Sequence, residues 1–372
     1  MTSQTSNSAL QHWLITPRDP LVARDGRPFL AGGGSRMKSL DWLMPSVLAG
    51  SFRSLYGTQQ GSDFATDAAE LMNIESAGPL PVVGNELYFP APANCAARLD
   101  ATGRLCYERL APGKDGAMVI TTLEAEEPVP TWWSRANLER WLTRRAVTLP
   151  APRQHPPGGY LRQLARDPRN HVRMDDTLRK GKEEMLFETV GLDMSLPASH
   201  EVVRLAARTA APKSVQASLH TLGGERRTVH WGVGCKPLWE CPDAIKTALT
   251  GAERVCMVLA TPAWFSSGGF PVEHGSEWTP PGCLTGPKLK FAGACLDRWV
   301  AVSGWAMRSV NGALAGPKPL RRLAPAGSVY FFTCKKGDGE ILATRWLQIV
   351  SDDANGGQLR RDGFGLALWG VW

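Results

Sequence analysis

Four arginines, Arg18, Arg24, Arg27 and Arg36, fall among Pro17, Asp19, Pro20, Asp25, Gly26 and Pro28 near the start of the 372-residue chain. Turn-forming neighbours display such charges on a tight loop and do not bury them, which makes a surface for an anion. A second group of cations lies in LGGERRTVHW at 222–231, where Gly223 and Gly224 permit a hairpin tip carrying Arg226 and Arg227. Guanidinium forks at such a tip either grip phosphate or stand on an ordinary solvated turn. The third is a stripe. Between Arg135 and Lys182 twelve Lys or Arg face four acids (Glu139, Asp167, Asp175, Asp176), an excess of eight in a chain whose net charge is +7. Trp132, Trp133, Trp141, His155, Tyr160 and His171 are interleaved with these bases, and their rings could stack on nucleobases.

Catalytic patterns are weaker. GGGSRMKS at 32–39 approaches a phosphate-binding loop, but Met37 stands where the second glycine must curl around the phosphate. GFGLALWG at 363–370 has two glycines at dinucleotide-motif spacing with the third too late. His171, inside a basic block, reads as a base-stacking or phosphate-binding residue, as a structural histidine, or as a general acid or base. His12, His155, His200, His220, His230 and His274 form no H-E-x-x-H and no metal-ligand spacing, and the eight cysteines contain no C-x-x-C pair. The cysteines read as reduced thiols, with Cys256 and Cys334 in the core, and no cofactor or metal is expected.

The elements that would hold these groups follow from periodicity. Trp13, Leu14 and Ile15 read as a first strand leading into the basic loop. Beyond it, Leu48, Phe52, Leu55 and Tyr56 recur at i, i+4, i+7 and i+8, with Ser46 as N-cap and Gly57 as the end, so a helix forms with Arg53 off its apolar face. Gly50 inside it suggests a closely approaching backbone. This helix either packs on a sheet or, with the basic loop, holds phosphates at its N-terminus. Ser134 caps a helix with Leu138, Trp141 and Leu142, whose segment stops before Pro150. PAPRQHPPGGY is a linker or a projecting loop, and PDAIKTALTG at 242–251 is a helix. SVQASLHTL and RTVHWGV flank the Gly223-Gly224 turn. RVCMVLATP, DRWVAVSGW, SVYFFTC, TRWLQIV and GFGLALWGV read as strands, several of them central. Strands with few helices indicate α+β, and 372 residues suit two domains. No apolar run reaches a membrane span and the N-terminus lacks a signal pattern, so the expected location is the cytoplasm.

TPRDPLVARDGRPF followed by PSVLAGSFRS resembles the third-subunit family of the type III-B CRISPR effector (Cmr) complex, whose members are RAMP proteins. The resemblance continues, in family order, through RNHVRMDDTLRKGKEEMLFETVGL, LGGERRTVHW, VLATPAWF, VSGW, KPLRRLAPAGSVYFF and GFGLALWGVW. It implies two ferredoxin-like, RRM-like domains with inserted loops, one over 10–200 with a basic insertion at about 96–182, the other over 201–372. It also implies a non-catalytic scaffold that holds the 5′ repeat handle of the crRNA and joins the large polymerase-domain (Cas10-type) subunit to a backbone RAMP subunit. Target RNA is then met only indirectly. On this reading Arg18, Arg24, Arg27, Lys38, Ser46, Arg53, His171, Arg173, Lys182, Arg226 and Arg227 face the RNA, and Asn170 reads a base edge. The leading alternative is a metal-independent RAMP endoribonuclease that processes repeat RNA; a free-standing RNA-binding protein comes third.

Overall fold

The structure, a computed structural model, describes residues 8–25, 35–37, 39–64, 66–99, 105–113, 129–147, 159–196, 199–234, 236–282, 286–306, 316–353 and 357–372. The chain begins with β1 (Ala9–Pro17), in which Trp13, Ile15 and Pro17 are buried in alternation. It adds β2 (Glu75–Val83), β3 (Glu86–Pro90), β4 (Trp132–Ser134) and β5 (Tyr160–Leu161). An outlying hairpin follows, β6 (Arg166–Met174) with β7 (Gly181–Leu192), and the chain returns as β8 (Arg204–Ala211), β9 (Ser218–Thr221) and β10 (Thr228–Val233). Eight of these strands form one antiparallel sheet in the order β9-β10-β1-β8-β2-β3-β4-β5. Because β8 to β10 pair with the N-terminal strands, the change of sheet falls after 234. It does not fall at 200, where the sequence suggested a division.

The second sheet, six-stranded and antiparallel, contains β11 (Arg254–Leu259), β12 (Glu277–Trp278), β13 (Leu289–Cys295), β14 (Val329–Thr333), β15 (Gln348–Ile349) and β16 (Leu366–Val371), ordered β12-β13-β14-β11-β16-β15. The continuously apolar β14, β11 and β16 are its centre, as their composition requires. TRWLQIV contributes only the two-residue edge β15, and the strand within DRWVAVSGW, Val300–Val302, pairs outside this sheet with Arg321–Leu323.

α1 (Pro45–Gln60) lies on one face of the first sheet. Leu48, Phe52, Leu55 and Tyr56 form one core there with Trp13, Ile15, Leu205, Val229 and Trp231, and the Phe52 and Trp231 ring centroids are 5.5 Å apart. The opposite face, with Leu80, Val82, Phe89 and Ala206, shares one core with Val255, Met257, Leu366 and Leu368 of the second sheet. That shared core also takes in α2 (Arg135–Leu142), α3 (Asp243–Leu249) and α4 (Asp338–Ala343), while the short α5 (Gln358–Asp362) abuts α1 and β2. The chain is thus mixed helix and strand, mostly sheet. Among the described residues no helix is long and apolar enough to cross a membrane.

Several local expectations change. The N-cap of α1 is Met44 with Pro45 at the first helical turn, so Ser46 is inside the helix and not its cap. α1 runs past Gly57 to a left-handed Gly61 (φ 69°). Gly50 is exposed and a Cβ there would meet nothing within 4 Å, so no second backbone approaches it. Ser134 does cap α2, accepting from the Asn137 N–H. In GFGLALWGVW a Cβ on Gly363 would lie 2.7 Å from the Ser76 carbonyl oxygen, so this glycine lets the chain's own backbone approach.

Candidate nucleic-acid interface

The loop after β1 is built around a buried triplet. Leu21, Val22 and Ala23 are each no more than 1% exposed, so the flanking Arg18 and Arg24 must turn outward, and both are exposed. The triplet is bonded on three sides. Leu21 exchanges hydrogen bonds with Leu192 (3.0 and 2.7 Å), Gly224 donates to the Val22 carbonyl (2.9 Å), and Leu40 donates to the Ala23 carbonyl (2.7 Å). Arg18 donates its N–H to the Thr228 carbonyl at 3.0 Å, and the Asp19 carboxylate accepts from the Thr228 N–H at 3.1 Å. The turn between β9 and β10 is thereby clamped against the loop.

The turn's shape depends on its glycines. Gly223 has φ +81°, and a Cβ there would stand 2.6 Å from the Val22 carbonyl oxygen. Glu225 and Arg226 also adopt left-handed φ, 56° and 49°, which presents Arg226 to solvent. Arg227 is half-buried, and its Nε–H is enclosed without an acceptor. Arg18, Arg24, Arg226 and Arg227 therefore share one end of the first sheet.

The β6/β7 hairpin springs from the same end, since Leu192 at its base pairs with Leu21. Asn170, Arg173 and Lys182 are exposed along it. His171 stacks on Phe187 (5.1 Å between centroids, 17° between planes), and its Nε2 is 2.8 Å from the Thr189 hydroxyl. Residues 35–36 add a short parallel strand to β7, and Arg36 pairs with Glu188 at 2.8 Å. Val172, Met174, Leu178 and Leu186 are 45–63% exposed, an apolar set that the charge-led reading of the sequence missed. Its signal was the alternation in RNHVRM opposite MLFETV.

Pairing also revises the basic stripe. In sequence the hairpin's six cations (Arg166, Arg169, Arg173, Arg179, Lys180, Lys182) are matched in number by six acids (Asp167, Asp175, Asp176, Glu183, Glu184, Glu188), three of them beyond Lys182. Arg166 bonds Asp41, Arg169 pairs with Asp167 at 2.6 Å, and Arg135 donates to the carbonyls of Pro237, Leu238 and Glu240. The interleaved aromatics are core: Trp132, Trp133, Trp141 and Tyr160 are all under 8% exposed, with Trp133 edge-on to Trp141 at 5.3 Å. They offer no stacking platform. His155 lies outside the described residues.

Arg53 is likewise removed from the surface. It is 7% exposed, pairs with Asp362 at 2.6 Å and donates to the Ile74 carbonyl at 2.8 Å. Ser46 lines a cavity with Lys318 and Arg321. Arg27 and Lys38 lie outside the described residues, as does the run Gly32–Gly34. Met37 is buried and donates to the Glu188 carbonyl at 2.9 Å, which does not resemble a phosphate loop. Among the described residues no three His, Cys, Asp or Glu side chains are grouped to hold a metal.

The profile of the family described as CRISPR-associated protein (Cas_Cmr3) matches residues 13–372. The chain belongs to the Cmr3 family. This Cmr3-family chain is therefore a subunit of a type III CRISPR effector complex. Among solved structures it is similar to a chain in the cryo-EM structure of the type III-B Cmr-beta bound to cognate target RNA, at 12% identity, with 86% of each chain covered and a TM-score of 0.43. The same assembly with AMPPnP, state 1, gives 13%, 86% of each chain and 0.45. A chain of the Csm3-Csm4 subcomplex in the type III-A CRISPR-Cas interference complex gives 10% identity, 87% of this chain and 94% of that one, and 0.32. No curated protein matches.

Proposed function

We propose that this chain is the non-catalytic RNA-binding scaffold that holds the 5′ repeat handle of the crRNA. In this reading it bridges the large polymerase-domain subunit to a backbone RAMP subunit. The observation that carries it is the clamp between loop and turn: Gly224 bonded to Val22 brings Arg18, Arg24, Arg226 and Arg227 to one end of the sheet, at the root of the hairpin. Backbone bonds fix the main chain that carries these arginines, so only their side chains have to order on the phosphates. Asn170 and the His171–Phe187 stack, farther along the hairpin, suit a splayed nucleotide. The apolar Val172, Met174, Leu178 and Leu186 suit a neighbouring subunit.

Strand order supports two ferredoxin-like units. In the first, β10-β1-β8-β2 is the fourth-first-third-second antiparallel order of such a unit, with α1 crossing between β1 and β2. β9 takes the place of the second helix. His171 has a threonine hydroxyl as its polar partner, which holds the ring and does not prime it as a nuclease base.

The test is end-labelled repeat RNA with purified protein in EDTA, binding and cleavage read on one gel. Intact RNA in a salt-sensitive complex is expected. Arg18→Ala, Arg226→Ala and Arg227→Ala should each lower the single-strand salt slope by about 0.7. Specific cleavage that vanishes in His171→Ala would overturn the scaffold reading, and an unchanged slope in the triple variant would remove these arginines from the RNA.

A further inference from the structure

At the other end of the first sheet, a cleft of about 370 Å³ opens between the two sheets. Its walls carry Arg208 from β8, Arg345 from the turn after α4, and Arg360 from α5. Each guanidinium is half-buried, and each spends one N–H on a main-chain carbonyl: Arg208 on Leu347 at 2.9 Å, Arg345 on Pro281 at 2.5 Å, Arg360 on Ser351. Arg208 also lies over the Trp239 ring, 5.1 Å from its centroid. Carbonyls orient these groups without neutralising them. Among the described residues none of the three forms an ion pair with a carboxylate. The acid in the cleft wall is Glu75, exposed at the start of β2; the buried Asp353 beside Arg360 accepts the N–H groups of Leu359 and Arg360 at its Oδ2 and has no hydrogen-bond partner at its Oδ1. The Arg345 Nε–H is buried without an acceptor.

Three like charges held around one cleft repel each other in a medium that screens poorly, and each guanidinium retains several unspent N–H donors. A tetrahedral phosphate answers both, since its unesterified oxygens accept from diverging directions, whereas a planar carboxylate meets only one fork well. We propose that Arg208, Arg345 and Arg360 form a phosphate-binding cleft. It is separate from the RNA face: from Leu10 at the cleft to Arg18 at the loop the chain runs along β1, roughly 25 Å at about 3.3 Å per residue. The phosphate comes either from an RNA strand that extends across the sheet or from a free phosphorylated ligand.

The test is ³¹P NMR of inorganic phosphate with the full chain at fixed ionic strength. Saturable broadening is expected with the natural protein, and its loss is expected in the double variant Arg345→Gln, Arg360→Gln, which removes both charges and keeps a polar amide at each position. Glu75→Gln should tighten phosphate binding several-fold, a gain that misfolding cannot produce. No broadening with the natural protein, or equal broadening in the double variant, would overturn the proposal. With the cleft established, a single-strand salt slope lower by about 1.4 in the double variant assigns the phosphate to RNA. An unchanged slope assigns it to a free ligand. In the Arg18→Ala, Arg226→Ala, Arg227→Ala background, which removes the RNA-face arginines, broadening that remains and is then lost with Arg345→Gln, Arg360→Gln belongs to the cleft, so failure of the cleft and failure of the handle-binding reading are read separately.

Discussion

Replacing Arg53 tests whether the fold has assigned this arginine to stability and not to RNA. Its guanidinium and the Asp362 carboxylate are 8% and 7% exposed and 2.6 Å apart, joining α1 to α5 across 309 residues of sequence. Asp362 also accepts from the Gln358 amide at 2.7 Å, and Arg53 holds the Ile74 carbonyl at the end of the link to β2. Arg53→Met leaves a buried carboxylate without its counter-ion, a change that costs about 3–5 kcal/mol. With an unfolding entropy of about 2.1 cal/mol/K per residue, a chain of 372 residues should lose about 4–6 °C of melting temperature. Arg53→Met combined with Asp362→Leu should recover most of it, because two apolar side chains of similar volume need no partner. Melting followed by near-UV circular dichroism reads both variants, and the RNA salt slope of Arg53→Met should match that of the natural protein. A lower slope with an unchanged melting temperature would refute the reasoning and return Arg53 to the RNA.

Three further outcomes follow from local geometry. Gly50→Ala, at an exposed helical site with nothing within 4 Å of the new methyl, should stabilise the chain by about 0.5–1 kcal/mol in urea denaturation. Gly223→Ala, at φ +81° and with a Cβ 2.6 Å from the Val22 oxygen, should cost about 1–3 kcal/mol and weaken RNA binding by loosening the clamp, measured by denaturation and by filter binding. Burial raises the Asp353 carboxyl above its ordinary 3.8, ahead of the opposing bonds from Leu359 and Arg360. A carboxyl whose pKa is higher folded than unfolded favours the folded state least when ionised, so its contribution falls as pH rises from 3.8 through the raised value. Asp353→Asn keeps an oxygen for both N–H groups, and should remove that fall in denaturation midpoints taken at pH 4 and pH 7.

What could be read from the sequence was local. The i, i+4, i+7, i+8 pattern of Leu48, Phe52, Leu55 and Tyr56 placed α1 and its buried face, and the apolar runs at 254–259, 329–333 and 366–371 are the centre of the second sheet. The loop arginines were legible because prolines and aspartates bracket them. β2 was not, because Pro79 and Pro81 break the usual strand signal, yet its ladder to β8 sets the core between the sheets. The stripe misled for a different reason. A window of sequence counts charges along the chain, whereas the hairpin sums them across two strands, and Glu183, Glu184 and Glu188 lie just past Lys182.

The same distinction decides which arginines can meet RNA. Arg18 and Arg24 flank a triplet that must be buried, so the local chain alone turns them outward. Arg53 follows Phe52 on a helix that looked half-open in sequence, and only the return of the chain 309 residues later as α5 closes its other side. Arg208, Arg345 and Arg360 are the reverse case. Scattered through the sequence, with no motif among them, they become a site only where β8 meets the second sheet. A cation's role here is set by what lies opposite it, which the sequence shows when the opposing group is a neighbour and conceals when it is a long-range partner.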